Sequence, residues 1–596
     1  MENTTRILSL LYQSPRVIGV AIITIPIAIY TLRKVLLPKP LPGIPYNAEA
    51  ANSLFGDVPA ILREAADNPH TWITEQTSRH NSPIAQVFLI PFGRPCLIIS
   101  DFREAQDIMM RRKEFDRSSL IIGTIGGEAP LFHANMTTGS AWKAHRKLLQ
   151  DLMSPEFLHN VAAPNIYKSA SRLMDLWDQK SAIVGTMPFA AKDDLFYTAL
   201  DAIYDFGYGD AAVERALIPQ LRMMEMLTEA DKDRIRESGS AEVGVEFSTA
   251  AIPASMDAIL KSANNVVPPP ALACPALAWW IMGLRPSIRK MRAARNKFIE
   301  DQVLKSAAKL QRRTDKDEGD AGVKSAIDHI MERERAFAAS SGREPIYWSN
   351  AIRDEIFGFV AAGHDTTSTA LSWGVKFLAD SIPVQNRLRK ELNTTHANAF
   401  AEDRPPAEAE ITSARIPYLD AVVEEIARLS HIVPVQEREN MQDTIIFGHH
   451  IPKGTYVFLA NKGAGFTEPA ITVDESKRSA SSQAALQEGR TTVLSKEEQV
   501  NMNDFRPERW LVVDDDGNEV FDIAAWPALA FGLGRRGCFG RKLAHLELRI
   551  IVTLMVWNFE LLPCAEALSS YDAVQVKLRE PRQCYVSLRR RNSMTC

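Results

Sequence analysis

The chain has 596 residues, 46% hydrophobic and 24% charged, with a formal net charge of −4. That balance is ordinary for a globular protein and offers no basic domain of the kind a nucleic-acid partner needs. Six cysteines (Cys96, Cys274, Cys538, Cys564, Cys584 and Cys596) have neither metal-finger nor redox-pair spacing, which argues against a disulfide framework and fits a reducing compartment.

At the N-terminus, Val17 to Leu32 carries no charge and is bounded by Arg16 and Arg33. At 1.5 Å per residue it spans roughly 24 Å, short of a hydrocarbon core of about 30 Å, and extension to Leu37 closes the gap if Arg33 and Lys34 snorkel. No small-residue cleavage site follows. Instead comes a run holding Pro38, Pro40, Pro42 and Pro45, whose fixed angles make a stiff, non-helical hinge. The sequence therefore predicts a membrane anchor over 1–37, a proline-rich hinge over 38–48 and one domain over 49–596. The basic residues after the span face that domain to the cytosol.

Between Glu49 and Ser100, short apolar runs alternate with turn residues and read as a small β region. Helical periodicity dominates afterwards. In Trp142-Lys143-Ala144-His145-Arg146, i, i+4 spacing sets Trp142 and Arg146 on one face, where a guanidinium suits a carboxylate. Arg312 to Asp320 reads as an exposed loop. Phe359 to Thr367 (FVAAGHDTT) places Asp365 and Thr366 inside a helix. Glu425-Ile426-Ala427-Arg428 puts opposite charges one turn apart. The segment Lys477 to Gln499, rich in Ser, Glu and Lys, looks like a surface insertion, and Phe505 to Trp510 (FRPERW) follows it.

The segment Phe531-Gly532-Leu533-Gly534-Arg535-Arg536-Gly537-Cys538-Phe539-Gly540 carries the chemistry. A thiolate that ligates iron needs a backbone able to loop beneath a flat macrocycle, which glycines permit. It also needs donors and positive charge around the sulfur, here Arg535 and Arg536. Lys542 to Met555 begins a helix, so Cys538 lies near a helix N-terminus, whose dipole favours an anion. A glycine-rich turn holding an inert cysteine is the alternative.

Agreement at every fixed position of F-x-x-G-x-R-x-C-x-G makes the sequence resemble the cytochrome P-450 family, most like membrane-bound fungal members. The resemblance implies a mainly α, triangular haem domain with a small β region. Cys538 becomes the axial ligand of the iron of haem b. Trp142, Arg146, Arg438 and Arg536 become contacts of the haem propionates, and Phe531, Gly534 and Gly540 shape the loop. Thr366 would hydrogen-bond bound oxygen, Asp365 would relay protons, and Gly363 would leave the oxygen room. Glu425, Arg428 and Arg509 would be structural.

The implied reaction inserts one atom of O2 into a small apolar organic substrate of specialised metabolism, with electrons from NADPH through a separate cytochrome P-450 reductase. Lys143, Arg146, Lys147, Arg535, Arg541 and Lys542 would steer that acidic partner. Ile121, Ile122, Ile125, Phe132, Phe359, Ile432 and Val433 suggest the apolar substrate wall. The implied location is the endoplasmic reticulum membrane, single-pass, with the catalytic domain in the cytosol. Two alternatives stay open: an O2-independent haem-thiolate isomerase or dehydratase, and a non-catalytic haem sensor.

Overall fold

The computed structural model describes residues 15–209, 215–267, 271–312, 324–575 and 577–591. Asn3, residues 313–320 of the expected exposed loop, and Cys596 lie outside the described residues. The chain begins with helix α1 (Pro15–Leu36), strands β1 (Ile84–Val87) and β2 (Cys96–Ile99), helix α2 (Phe102–Met110) and strand β3 (Phe115–Arg117). Helices α3 (Ser119–Ile125), α4 (Ser140–Leu148), α5 (Lys192–Tyr208), α6 (Pro275–Leu284) and α7 (Pro286–Arg312) follow. Then come α8 (Asn350–Asp380), α9 (Pro417–Ser430), β4 (Val435–Asn440), β5 (Tyr456–Ala460), α10 (Ala480–Gln487) and α11 (Arg541–Asn558). The fold is mainly α with a small β region, as the sequence led us to expect.

Helix α8 organises the molecule. The Ser349 hydroxyl accepts the Ile352 N–H and so caps its start. Its 31 residues span about 46 Å, and most are buried because α5 packs on one side and α9 on the other. Gly363 makes the α5 contact possible: a Cβ there would collide with Ile203. Gly363 therefore serves helix packing besides the expected role of leaving room in the cavity that it lines.

A five-stranded sheet runs in the order β1-β2-β5-β4-β3. β2 and β5 pair in parallel, Ile98 against Phe458, and the remaining pairs are antiparallel. Only β1 and β2 come from the region where strands were expected. The others arrive from residues 115–117 and 435–460, because pairing over such separations is invisible to local periodicity. The proline-rich hinge is non-helical as expected, but it is docked rather than free: Gln86 accepts the Leu41 N–H and donates to the Leu41 and Ile44 carbonyls.

Helix α1 contains Pro26 and ends with Arg33 and Lys34 in its last turn. Ile23, Ile25, Ile27 and Ile29 are exposed. Among the described residues no helix is long and apolar enough to cross a membrane, so the expected spanning anchor over 17–37 is not found. The uncharged run alone spans roughly 24 Å, short of a hydrocarbon core of about 30 Å. Helix α6 is a second exposed apolar element, with Leu277, Trp280, Ile281 and Leu284 facing outward.

Beneath the sheet, Glu425 is fully buried and receives five hydrogen bonds: two from Arg428 at 2.8 Å, and one each from Arg509, the Trp510 indole and the Arg506 backbone. The expected structural trio is therefore present. The polar segment expected to be a surface insertion contains α10 and is pinned down. Arg478 grips Asp101 through two bonds of 2.7 and 2.8 Å, and Ser479 and Ser481 donate to Asp107.

Candidate active site

The glycine-rich loop enters from the sheet side and leads into α11. Gly532 and Gly534 adopt φ of 61° and 66°, the left-handed region that glycine tolerates. A side chain on Gly534 would also strike the Met109 carbonyl of α2. The Cys538 N–H donates to the Phe531 carbonyl at 2.7 Å, which closes the loop and presents the sulfur. Cys538 stands just before the N-terminus of α11, as expected.

The thiol is exposed, but toward a cavity of about 350 Å³ and not toward bulk solvent, with protein atoms packed closely around it. Burial pushes the thiol above its ordinary value, opposed by the N–H groups of Gly540 and Arg541 and by the charges of Arg541 and Arg146. Donors and positive charge do surround the sulfur, and a bound metal would deprotonate it. Arg535 and Arg536, expected at the sulfur, are replaced there by Arg541 and Arg146. Arg535 instead donates to the Lys113 carbonyl.

Arg536 belongs to a different cluster. β3 and β4 set Arg117 and Arg438 directly opposite each other, and Arg536 stands close to both. Burial first, then repulsion from Arg117 and Arg536, brings Arg438 down to about 9. Burial and the neighbouring Arg117 bring Arg536 down to about 10. Nη2 of Arg438, Nη1 of Arg536 and Nε of Arg117 are buried without a hydrogen-bond partner among the described residues. Arg536 spends one bond on the Met136 carbonyl and lies over the Trp142 ring at 5.0 Å, while Arg146 lies over Phe539 at 4.5 Å. Buried guanidiniums with idle donors suit an anion of several oxygens. Sequence reasoning missed Arg117; only the strand pairing with Arg438 exposes it.

The opposite wall of the cavity is α8. Phe359, Ala362, Gly363 and Thr366 line it, and Ile432 and Val433 close one side. The Thr366 hydroxyl donates to the Ala362 carbonyl at 2.8 Å. Asp365, expected to act beside it, does not line the cavity; its carboxylate pairs with Lys577 at 3.0 Å. The Lys577 ion pair draws the Asp365 carboxylate away from the cavity that Thr366 lines. Glu547 of α11, also missed, does line the cavity, and burial pushes it up to about 8 against a hydrogen bond with Thr367. Phe132 lines the cavity as expected, whereas Ile121, Ile122 and Ile125 do not.

The residues fit a haem. A sulfur faces a slot of small-molecule size, idle guanidiniums await carboxylates, and the place of a Gly540 side chain has nothing within 4 Å. The cytochrome P450 family model matches residues 52–464 and 496–581. The chain belongs to the cytochrome P450 family. It is 39% identical to the cytochrome P450 monooxygenase TRI13 of Fusarium sporotrichioides, over 94% of this chain and 97% of that one. It is 35% identical to the monooxygenase xilC of Penicillium rubens, over 92% and 91%. The solved P450DA heme domain shares the fold with a TM-score of 0.61 at 16% identity, covering 94% of this chain and 98% of that one. This P450 chain is a haem-thiolate monooxygenase. The gap in the family match, 465–495, falls on the pinned segment that carries α10.

Proposed function

We propose that this P450 oxidises an apolar organic substrate of specialised metabolism, with haem b held through the Cys538 sulfur and electrons drawn from NADPH by a separate reductase. The carrying observation is that Cys538 and Thr366 face one cavity from opposite walls. When bound, the haem supplies O2 activation and transfer of one oxygen atom to the substrate, the other leaving as water. Arg117, Arg438 and Arg536, with Trp142 and Arg146, would hold its propionates. The Thr366 hydroxyl, now donating to the Ala362 carbonyl, would hold a proton at the cavity face of α8. Asp365 contributes protons only when Lys577 releases it. Phe132, Phe359, Ile432 and Val433 exclude water and favour an apolar ligand.

The exposed side chains of Lys143, Lys147, Arg535 and Lys542 support docking of an acidic reductase on the side nearest Cys538. The exposed apolar faces of α1 and α6 support attachment to the endoplasmic reticulum membrane with the catalytic body in the cytosol. A difference-spectrum screen of candidate ligands, followed by reconstitution with reductase and NADPH, tests the reading. It requires substrate-dependent NADPH consumption and an oxygenated product. NADPH consumption that no ligand stimulates would contradict it.

A further inference from the structure

Glu355 lies on α8 eleven residues before Thr366, about three turns, and so on the same face of the helix. It is fully buried. Its carboxylate accepts three hydrogen bonds: from the His133 N–H at 2.8 Å, from His133 Nδ1 at 2.8 Å and from His145 Nδ1 at 2.7 Å. The two imidazoles come from separate segments. His133 lies in the loop before α4 and lines the cavity. Its ring meets Phe132 edge-on at 4.6 Å and Phe539, the residue after Cys538, at 5.6 Å. His145 sits on α4 beside Arg146. With both Nδ1 atoms bound to the carboxylate, each ring has a fixed tautomer and orientation.

We infer that Glu355 is a positioning residue: it fastens the cavity wall at His133 and the propionate helix at His145 to the distal helix, and the haem is held tightly only while both are fastened. This rests on the haem-thiolate reading above. One carboxylate thereby ties together the three walls that meet at the haem edge. Leu131 adds a parallel tie, its N–H donating to the neighbouring Asp354 at 3.0 Å.

Charge supports the geometry. Burial alone would raise the Glu355 carboxyl, but the hydrogen bonds from His133 and His145 outweigh it and hold the group below its ordinary value. The hydrogen bond to Glu355 raises His145. The other charged groups facing the trio are Arg146 on α4, Asp354 with its partner Arg353 on α8, and Arg295 on α7 facing that pair. The His145 tie is complete below the ordinary imidazole value of 6.5 and is lost as pH rises through the raised value. The Glu355 tie is present above 4.5 and is lost as pH falls through the lowered value.

The experiment measures transfer of haem from the full-length holoprotein to excess apomyoglobin between pH 6 and 8.5, for the parent, Glu355→Gln and His145→Asn. The parent should lose haem slowly at pH 6 and faster as pH rises. Glu355→Gln should lose it at least about tenfold faster at pH 6, the effect of charge-assisted hydrogen bonds, with little pH dependence. His145→Asn should flatten the profile with a smaller loss. A parent-like rate and slope in Glu355→Gln would overturn the inference. If that variant loads no haem, a retained slope in His145→Asn would overturn it. The reduced carbon monoxide spectrum keeps the two readings apart: a parent without the thiolate-shifted band fails the haem-thiolate assignment, whatever the transfer rates.

Discussion

Arg117 and Arg438 stand directly opposite each other in the β3–β4 ladder, two buried guanidiniums with idle donors. Like charges so placed destabilise a sheet. The arrangement makes sense if an anion offsets the repulsion.

Arg117→Leu removes a repulsive partner of Arg438 but also the cation that faces the buried Glu437, so denaturation of the haem-free protein should show some loss of stability. Haem affinity should fall at least about tenfold, the scale of a hydrogen bond to a charged group. Equal haem affinity in variant and parent would show that Arg117 does not touch a propionate.

Thr366 and Asp365 separate by geometry. Thr366→Ala should divert electrons into hydrogen peroxide and lower product by about 10²–10⁴, the usual worth of a positioned proton donor. Asp365→Asn should slow turnover, whereas Lys577→Met, which frees the carboxylate, should not. The ratio of product to NADPH, with peroxide assayed alongside, reads all three. If Lys577→Met slowed turnover as much as Asp365→Asn, the ion pair itself would be what matters and Asp365 would carry no protons.

Glu425 should be among the most costly side chains to remove. Glu425→Ala leaves Arg428 and Arg509 buried without their counter-charge, a loss of about 3–5 kcal/mol. Burial would raise the Glu425 carboxyl, but Arg428 and Arg509 hold it below its ordinary value. Its contribution is therefore present above 4.5 and is lost as pH falls through the lowered value. Chemical denaturation against pH should show acid weakening in the parent. A variant as stable as the parent would remove the trio from the account.

Membrane attachment makes its own demand. The full-length protein should sediment with the membrane fraction, and the glycosylation sequons Asn135-Met136-Thr137 and Asn393-Thr394-Thr395 should carry no glycan. Asn135 is already buried. Release of the intact chain into the soluble fraction, or a glycan on Asn393, would sink the topology.

The parts of the site legible in the sequence were those built within one segment. The Cys538 loop, the Glu425–Arg428 pair and the Trp142–Arg146 face each lie within a few turns of chain. What was hidden was assembled over distance: Arg117 meets Arg438 only through a strand pairing, and Glu355 meets His133 and His145 across more than 200 positions of chain. The Lys577 partner of Asp365 could not be foreseen, because a motif names residues without showing which way each one points. The segment carrying α10 read as a surface insertion because its partners, Asp101 and Asp107, stand more than 300 positions earlier.

The central claim is that the Cys538 sulfur binds the haem iron, and the reduced carbon monoxide difference spectrum tests it most directly. The parent should show the red-shifted band of a thiolate ligand, and Cys538→Ser and Cys538→His should both lose it. Survival of the shifted band in either variant would contradict the assignment.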